Sequence, residues 1–156
     1  MFSRYGKLPE INKSPTSLTE LLDNVIGLYK GFKEVEVKIN VEEGVPIIAI
    51  DAEQFKRVFI NIMDNAIKAM NSKGEIVISV KTTGNNVIID IADTGPGISN
   101  DEKEKLFIPY FSKRKDGTGL GLAIANKIVT DHAGRIVVRD NNKPHGSIFT
   151  VEIPIG

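Results

Sequence analysis

Three alternating glycines open an apolar segment of helical period, Gly117-Thr118-Gly119-Leu120-Gly121-Leu122-Ala123-Ile124-Ala125. Glycine has no Cβ, so this stretch permits a tight turn and a close approach of a ligand to the backbone. A helix that starts here adds unpaired N–H groups and the positive end of a helix dipole. These features favour a phosphate site, although glycine-rich turns also precede helices for packing reasons alone.

Two common phosphate loops do not fit this segment. A Walker loop requires the string Gly-x-x-x-x-Gly-Lys-Ser/Thr, which the sequence lacks. A dinucleotide-binding turn requires its glycines directly after a buried strand, whereas the polar run 112–116 precedes them here. The glycines therefore indicate either a different phosphate-binding arrangement or packing.

Apolar periodicity predicts three helices and six strands. The helical spacing follows Thr16-Ser17 as far as Tyr29, recurs over 52–71 behind the capping residue Asp51, and recurs over 119–131. Strands are predicted at 35–41, 46–50, 76–81, 87–91, 135–139 and 147–153. This order predicts an α+β two-layer sandwich, in which helices cover one face of a mixed, mostly antiparallel sheet.

The composition is typical of a globular domain, and its charge balance and its few potential metal ligands exclude or disfavour several classes of function. Twenty basic side chains balance twenty acidic ones, which argues against nucleic acid as a partner. The absence of cysteine excludes thiolate metal sites, and two histidines without metal-ligand spacing disfavour zinc. No apolar run of membrane length or signal peptide is evident, which predicts a cytoplasmic domain without direct membrane contact. The polar segment 1–15 is predicted to be a linker ahead of a domain over 16–156.

Asn61, Asn65 and Lys68 share one face of the predicted helix 52–71, because they are spaced by four and three residues. An ordinary solvated face would also account for them. Asparagine, however, has low helix propensity, and two of them within one turn sacrifice helix stability. The two amides are therefore candidate ligand-binding groups.

A carboxylate continues the apolar side of the predicted strand 87–91. Alternate residues from Val87 to Ile91 are apolar, and the same parity directs Asp93 towards the apolar layer. An unpaired buried charge costs several kcal/mol, so Asp93 needs a hydrogen-bond donor. The donor can come from the following turn, Thr94-Gly95-Pro96-Gly97, or from the amine of a ligand in an apolar pocket.

Four segments of the chain occur together in one known family. Asn61-Ile-Met-Asp-Asn65-Ala-Ile-Lys68 is similar to an asparagine box, Asp93-Thr-Gly-Pro-Gly-Ile98 to a first glycine box, Leu106-Phe-Ile-Pro-Tyr-Phe111 to a phenylalanine box, and Gly117–Leu122 to a second glycine box. In this order and spacing they resemble the catalytic and ATP-binding domain of sensor histidine kinases, whose superfamily includes gyrase, the heat-shock chaperone ATPase and the mismatch-repair ATPase. The resemblance covers about residues 16–155 and implies a Bergerat-type ATP-binding fold.

The resemblance assigns a role to each matching residue. Asn65 holds Mg²⁺ against the triphosphate of ATP, Asn61 lies beside the phosphates, and Lys68 contacts them. Asp93 accepts a hydrogen bond from the adenine amine, and Gly97 leaves room for the base. The implied nucleotide-binding set also contains Gly95, Ile98, Lys113, Arg114, Gly117, Thr118, Gly119, Leu120, Gly121 and Leu122.

The phosphate end and the segment before it carry further expectations. Asn61, Lys68 and Arg114 form the implied catalytic set, and either Lys113 or Arg114 faces the terminal phosphate from a mobile lid over 99–117. In the phenylalanine box, Phe107, Pro109 and Phe111 either anchor that lid to the core or dock a partner domain.

Two departures from the wider family bear on the reaction. Its hydrolytic members carry a glutamate where Asn61 stands, and an asparagine cannot take a proton from water. The substrate histidine of a sensor kinase lies in an upstream box of the kind His-Glu-x-x-Asn/Thr-Pro, and this sequence contains none. His132 instead follows a predicted helix and is interpreted as a cap or packing residue.

The resemblance therefore predicts a domain that binds Mg·ATP and donates the γ-phosphate to a histidine of the missing dimerisation and phosphotransfer domain. Its partners are ATP or ADP, that domain and a response regulator, in the cytoplasm or in the cytoplasmic part of a membrane-anchored sensor. Three alternatives stay open on the same fold. They are a serine protein kinase with an anti-sigma-factor module, a hydrolysing ATPase clamp, and a nucleotide-binding module without catalysis.

Overall fold

A five-stranded mixed sheet forms the centre of the computed structural model, which describes residues 10–109, 120–142 and 144–156. The elements, in chain order, are β1 (Ser14–Thr16), α1 (Leu18–Gly27), β2 (Val35–Val41), β3 (Ile48–Ile50), α2 (Ala52–Ala69), β4 (Gly74–Thr83), β5 (Asn86–Asp93), α3 (Asn100–Lys105), α4 (Gly121–Asp131), β6 (Arg135–Asp140) and β7 (Ser147–Pro154). Among these described residues, no helix combines the length and apolar character needed to cross a bilayer.

The order of strands in the large sheet is β2–β4–β5–β7–β6. β2 runs parallel to β4, and every other neighbouring pair is antiparallel. The sheet is therefore mixed and mostly antiparallel, and the predicted α+β sandwich is confirmed. Its strand order brings the end of β5, the end of β6 and the start of β7 to one edge of the sandwich.

The core lies between one face of this sheet and the helices α1, α2 and α4. Every second side chain of β5 is buried, and α2 buries Phe55, Phe59 and Ile62 completely. Burial of side chains of this size stabilises the fold by roughly 1.5–3 kcal/mol each. Because α2 packs against both α1 and α4, it forms the centre of the helical layer.

Tyr29 ties the end of α1 to the middle of α2. Its hydroxyl donates to Asp64 Oδ1 at 2.6 Å and lies 3.3 Å from the carbonyl oxygen of Ile60. Burial, together with the hydrogen bond and charge of Asp64, raises the pKa of Tyr29 above its ordinary value. The phenol therefore stays protonated and remains a donor to α2.

Two short elements were not predicted from the sequence. β1 pairs antiparallel with β3, and Ser14 and Pro15 lie within the segment predicted as a linker. α3 lies within the predicted lid 99–117, and its N-cap Ser99 accepts a hydrogen bond from the Glu102 amide. α3 buries no side chain and β1 buries only Thr16, so neither element needs the periodic apolar residues from which the other elements were predicted.

Candidate functional site

The polar face of α2 meets the start of α4. Asn61 and Asn65 are half-buried, and Lys68 is exposed on the same face. The Asn61 side-chain nitrogen donates to the carbonyl oxygen of Gly121 at 2.9 Å. The asparagine pair predicted on this face therefore lies beside the described end of the second glycine segment.

Asp93 is only 3% exposed at the end of β5, as the strand parity predicts. Its Oδ1 accepts from the amide of Gly95 at 2.9 Å and from the amide of Ser147 at 3.3 Å. Two backbone donors thus help to compensate the buried charge, and one of them comes from the turn that follows the strand. A carboxylate held in this way stays a hydrogen-bond acceptor at the edge of the core.

The turn after Asp93 packs against the C-terminal end of α2. A Cβ on Gly95 would lie 3.2 Å from Asp93 Oδ1 and 3.4 Å from the Ala69 backbone. Gly97 has a φ of +87°, a conformation that L side chains rarely adopt. The turn therefore holds the buried carboxylate, a glycine bend and the half-buried Ile98 within six residues.

The loop between β6 and β7 lies directly on this turn, and sequence reasoning missed it. Asn141 donates from its side chain to the carbonyl oxygen of Asp93 at 2.9 Å. His145 Nδ1 donates to the carbonyl oxygen of Gly95 at 2.7 Å. Any Cβ on Gly146 would clash with the Asp93 carbonyl. The only local signal was a run of turn-forming residues, which predicts a loop and not its partner.

A cavity of about 360 Å³ opens between the turn and this loop. Residues 96–99 line one side, and Asp140, Asn142 and residues 144–146 line the other. Lys103 of α3 also reaches the end of β6, because its Nζ lies 2.6 Å from Asp140 Oδ1. The turn, α3 and the β6–β7 loop therefore surround one concave region.

The described part of the phenylalanine segment is attached to the core. The rings of Phe107 and Phe149 meet edge to face, with centroids 6.5 Å apart. Leu106 also packs against the core, whereas Ile108 is largely exposed. These contacts favour the anchoring role over docking for Phe107, and Phe111 lies outside the described residues.

The start of α4 differs from the starts of the other helices. Ser17, Asp51 and Ser99 each cap a helix with a side-chain oxygen. The N-cap of α4 is Leu120, whose aliphatic side chain cannot accept a hydrogen bond. The side chains of Leu120 and Leu122 pack partly against the core instead. The backbone donors of this first helical turn are thus not capped by the side chain of the N-cap residue.

Several predicted site residues lie outside the described part of the chain. They are Lys113, Arg114, Gly117, Thr118 and Gly119. Only residues 99–109 of the predicted lid are described.

His132 is a C-cap and packing residue, as interpreted from the sequence. It is 4% exposed, and its ring meets Phe55 edge to face. Its Nε2 accepts from the Asp51 amide at 3.1 Å, and its Nδ1 donates to the Ile128 carbonyl at 2.8 Å. The ring therefore joins the end of α4 to the start of α2 and is remote from the Asp93 turn.

Residues 50–156 match the family of histidine kinase-, DNA gyrase B-, and HSP90-like ATPases. The chain belongs to this family. The match contains the polar face of α2, the Asp93 turn and the start of α4. The ATPase domain thus has the fold of histidine kinase catalytic domains, and the resemblance deduced from the four boxes is confirmed.

Sensor histidine kinases are prominent among the relatives of the ATPase domain. ZraS of Salmonella typhi is 36% identical over 133 residues, which cover 85% of this chain and 28% of ZraS. The nucleotide-free catalytic domain of the histidine kinase ThkA has a TM-score of 0.85 at 30% identity, over 92% of this chain and 96% of that domain.

Two further structures show related domains with binding partners. Full-length ShkA in complex with AMPPNP has a TM-score of 0.83 at 27% identity, over 95% of this chain and 32% of ShkA. ThkA in complex with the response regulator TrrA has a TM-score of 0.79 at 28% identity, over 94% of this chain and 42% of that one.

The polar groups of the site fit a nucleotide and its metal ion. A buried acceptor beside a glycine bend suits a base, and a helix start beside two amides and a lysine suits phosphates. Within the described ranges, no three His, Cys, Asp or Glu side chains cluster as metal ligands. Asn65 offers an amide oxygen, and Mg²⁺ commonly takes one or two protein ligands while phosphates and water supply the others. The site therefore fits a Mg²⁺ ion that arrives with a triphosphate.

Proposed function

We propose that this ATPase domain binds Mg·ATP and presents the γ-phosphate to a histidine of a separate dimerisation domain in a sensor histidine kinase. The observation that carries the proposal is the convergence of three features at one edge of the sandwich. These are the polar face of α2, the turn after Asp93 and the start of α4 at Gly121. The complex of the related ShkA with AMPPNP supports nucleotide binding at such a domain.

Asp93 recognises the base in this proposal. Its buried carboxylate accepts a hydrogen bond from the adenine amine, while Gly95 and Gly97 let the ring approach the turn. Ile98 contributes apolar surface beside it. Guanine carries an acceptor oxygen where adenine carries the amine, so Asp93 disfavours guanine nucleotides.

The polar face of α2 holds the phosphates and the metal. Asn65 supplies an amide oxygen to Mg²⁺, Lys68 contributes positive charge, and Asn61 lies beside the phosphates while it holds the Gly121 carbonyl. The backbone of residues 117–122 donates to the phosphate oxygens. Lys113 or Arg114 completes the charge compensation at the terminal phosphate.

The proposed reaction is phosphoryl transfer without a general base on α2. ATP supplies the γ-phosphoryl group and Mg²⁺ neutralises part of its charge. The residues of this chain orient that group and stabilise charge, which is the main contribution of proteins to this class of reaction. Asn61 cannot accept a proton, which favours an external histidine over water as the acceptor.

The remaining parts of the proposal concern the intact kinase. Residues 16–156 form the ATP-binding domain, and residues 1–15, of which Ser14 and Pro15 pair with β3, link it to the dimerisation and phosphotransfer domain. A response regulator then receives the phosphoryl group, as the complex of ThkA with TrrA supports. The domain works in the cytoplasm, free or as part of a membrane-anchored sensor.

Radiolabelled ATP tests the reaction directly. The domain alone should neither release phosphate at the rate of a dedicated ATPase nor label itself. Addition of the cognate dimerisation domain should yield an acid-labile, base-stable phosphohistidine. Rapid phosphate release by the domain alone would identify an ATPase clamp, and phosphoserine on a partner protein would identify the serine kinase alternative.

Substitution of Asp93 tests base recognition independently of transfer. Asp93→Asn exchanges one acceptor oxygen for a donor, so ATP affinity should fall by about 1.5–3 kcal/mol, roughly ten- to a hundredfold. Wild-type protein should also bind GTP poorly. Calorimetry that gives equal ATP affinity for both proteins, or equal ATP and GTP affinity for the wild type, removes Asp93 from the site.

A further inference from the structure

We propose that the loop of residues 141–146 positions Asp93 for base recognition, with Asn141 and His145 as positioning residues. The inference rests on the proposed nucleotide-binding function and concerns its selectivity for adenine. Neither side chain belongs to the four boxes that identify the family, and the 141–146 loop lies about 50 residues further along the chain than the turn that it contacts.

The 141–146 loop holds the turn on both sides of Thr94. Asn141 donates to the carbonyl oxygen of Asp93, and His145 Nδ1 donates to that of Gly95. A carbonyl oxygen can only accept, so the proton lies on Nδ1 of His145. Two side chains of one loop therefore fix the carbonyl groups of the two residues on either side of Thr94, one of which is Asp93 itself.

The carboxylate itself is fixed by the backbone of the same region. Gly95 and Ser147 both donate their amides to Asp93 Oδ1. Ser147 directly follows the 141–146 loop and is 3% exposed. A shift of the loop would therefore move three donors together. They are the Ser147 amide, which donates to Asp93 Oδ1, and the side chains of Asn141 and His145, which donate to the carbonyl oxygens of the turn.

The two ends of the 141–146 loop are bonded to each other and packed on the turn, and Lys143 between them lies outside the described residues. The backbone N–H of Asn141 donates to the Gly146 carbonyl oxygen at 3.0 Å, which joins the two ends of the loop. Gly146 leaves no room for a Cβ against the Asp93 carbonyl, and a Cβ on Gly97 would lie 3.4 Å from the Gly146 carbonyl. Backbone therefore lies against backbone, and the two side-chain donors maintain this alignment.

Adenine selectivity requires this alignment because a hydrogen bond weakens steeply when its direction is lost. The Asp93 carboxylate can rotate about two side-chain bonds, and its Oδ1 donors set its orientation. Release of the turn from the loop would let the carboxylate turn away from the base. Phosphate binding at α2 and α4 should be less affected, since the Asn141 and His145 bonds described above lead to the Asp93 turn.

Calorimetry of ADP and GDP binding to the isolated domain tests the inference. Asn141→Ala and His145→Ala should each lower ADP affinity three- to tenfold and should shrink the ADP-to-GDP affinity ratio by a similar factor. Asn40→Ala is the control, because Asn40 is an exposed asparagine on the edge strand β2 and does not line the cavity between the turn and the loop. It should stay within twofold of the wild type.

Conservative variants separate positioning from general stability. His145→Asn keeps a donor near the position of Nδ1 and should recover most of the ADP affinity and of the ADP-to-GDP ratio. Asn141→Leu keeps the approximate size of the side chain and adds no charge but removes the donor, so it should behave like Asn141→Ala. It also replaces Asn141→Ala if thermal unfolding shows that the alanine variant does not fold.

The outcomes distinguish this inference from the function on which it rests. If the wild type binds ADP but the Asn141 and His145 variants keep its affinity and ratio, the loop has no positioning role and the nucleotide site stands. A lower melting temperature with an unchanged ratio likewise assigns the loop a structural role only, and an equal loss in Asn40→Ala also overturns the inference. A wild-type domain that binds neither nucleotide overturns the proposed function itself.

Discussion

The two helices that meet at the site, α2 and α4, begin in opposite ways. The start of α2 is closed, because Asp51 is 7% exposed and its carboxylate accepts from the amides of Gln54 and Asn12. Its own amide donates to His132 of α4. The start of α4 has the uncharged Leu120 as N-cap, followed by a half-buried glycine, and no capping oxygen on that N-cap side chain.

This difference separates a structural helix start from one that suits a ligand. A helix start whose donors are capped by a buried side chain resists unfolding, whereas helix starts whose N-cap side chain cannot accept a hydrogen bond are common places for anions to bind. Each helix also holds the other, since His132 at the end of α4 binds the start of α2 and Asn61 of α2 binds the start of α4. The central helix α2 is thus bonded to both ends of α4, and its Asn61 holds the first turn of α4 in place.

The largest expected effect follows loss of the cap on α2. Asp51→Ala leaves two backbone amides without their acceptor and should lower the free energy of unfolding by about 2–3 kcal/mol. Denaturant titration measures the loss. Ser17→Ala removes an exposed cap from α1 and should cost only about 0.5–1 kcal/mol. Equal losses in the two variants would contradict the closed character assigned to the α2 start.

The next effect concerns the histidine that joins the two helices. His132→Phe keeps a ring against Phe55 but removes the acceptor of the Asp51 amide, so unfolding should become easier by about 2 kcal/mol. Nucleotide affinity of the folded protein should not change, since His132 is remote from the Asp93 turn. A selective loss of ATP affinity without loss of stability would assign His132 to nucleotide binding and not to the packing of α2 on α4.

A carboxylate at the open end should act in the opposite sense from Asp51. Leu120→Asp places negative charge where phosphates are proposed to bind and should lower ATP affinity about tenfold, ~1.4 kcal/mol, relative to the uncharged control Leu120→Asn. Calorimetry at low ionic strength measures this difference. Equal affinity of the two variants would show that α4 does not face the phosphates.

The smallest effect concerns the bond between α2 and the open end. Asn61→Ala removes the donor to Gly121 and should lower the free energy of unfolding by about 1 kcal/mol. Asn40→Ala, at an exposed position of the edge strand β2, should leave stability within about 0.5 kcal/mol of the wild type. Thermal unfolding of both variants checks the difference. Identical curves would show that the bond from Asn61 to Gly121 does not stabilise the packing of α2 against α4.

Much of the fold followed from periodicity in the sequence. The alternation in β5 predicted a buried Asp93, and the helical spacing predicted α1, α2 and α4. β1 and α3 escaped prediction because they are short and largely exposed, so neither has a stripe or an alternation to detect. The residue roles taken from the four boxes stay predictions, and those of Lys113 and Arg114 fall on residues outside the described ranges.

The sequence by itself determined which side chains share a face, because one-dimensional spacing sets direction along a helix or strand. It thereby put Asn61, Asn65 and Lys68 together and turned Asp93 inwards. Only the tertiary structure decided which backbone groups these residues meet. Asn61 and Gly121 are 60 positions apart, and Asn141 and Asp93 are 48 apart. Contacts at such separations depend on how β5, β7, α2 and α4 pack, and no local pattern encodes that packing.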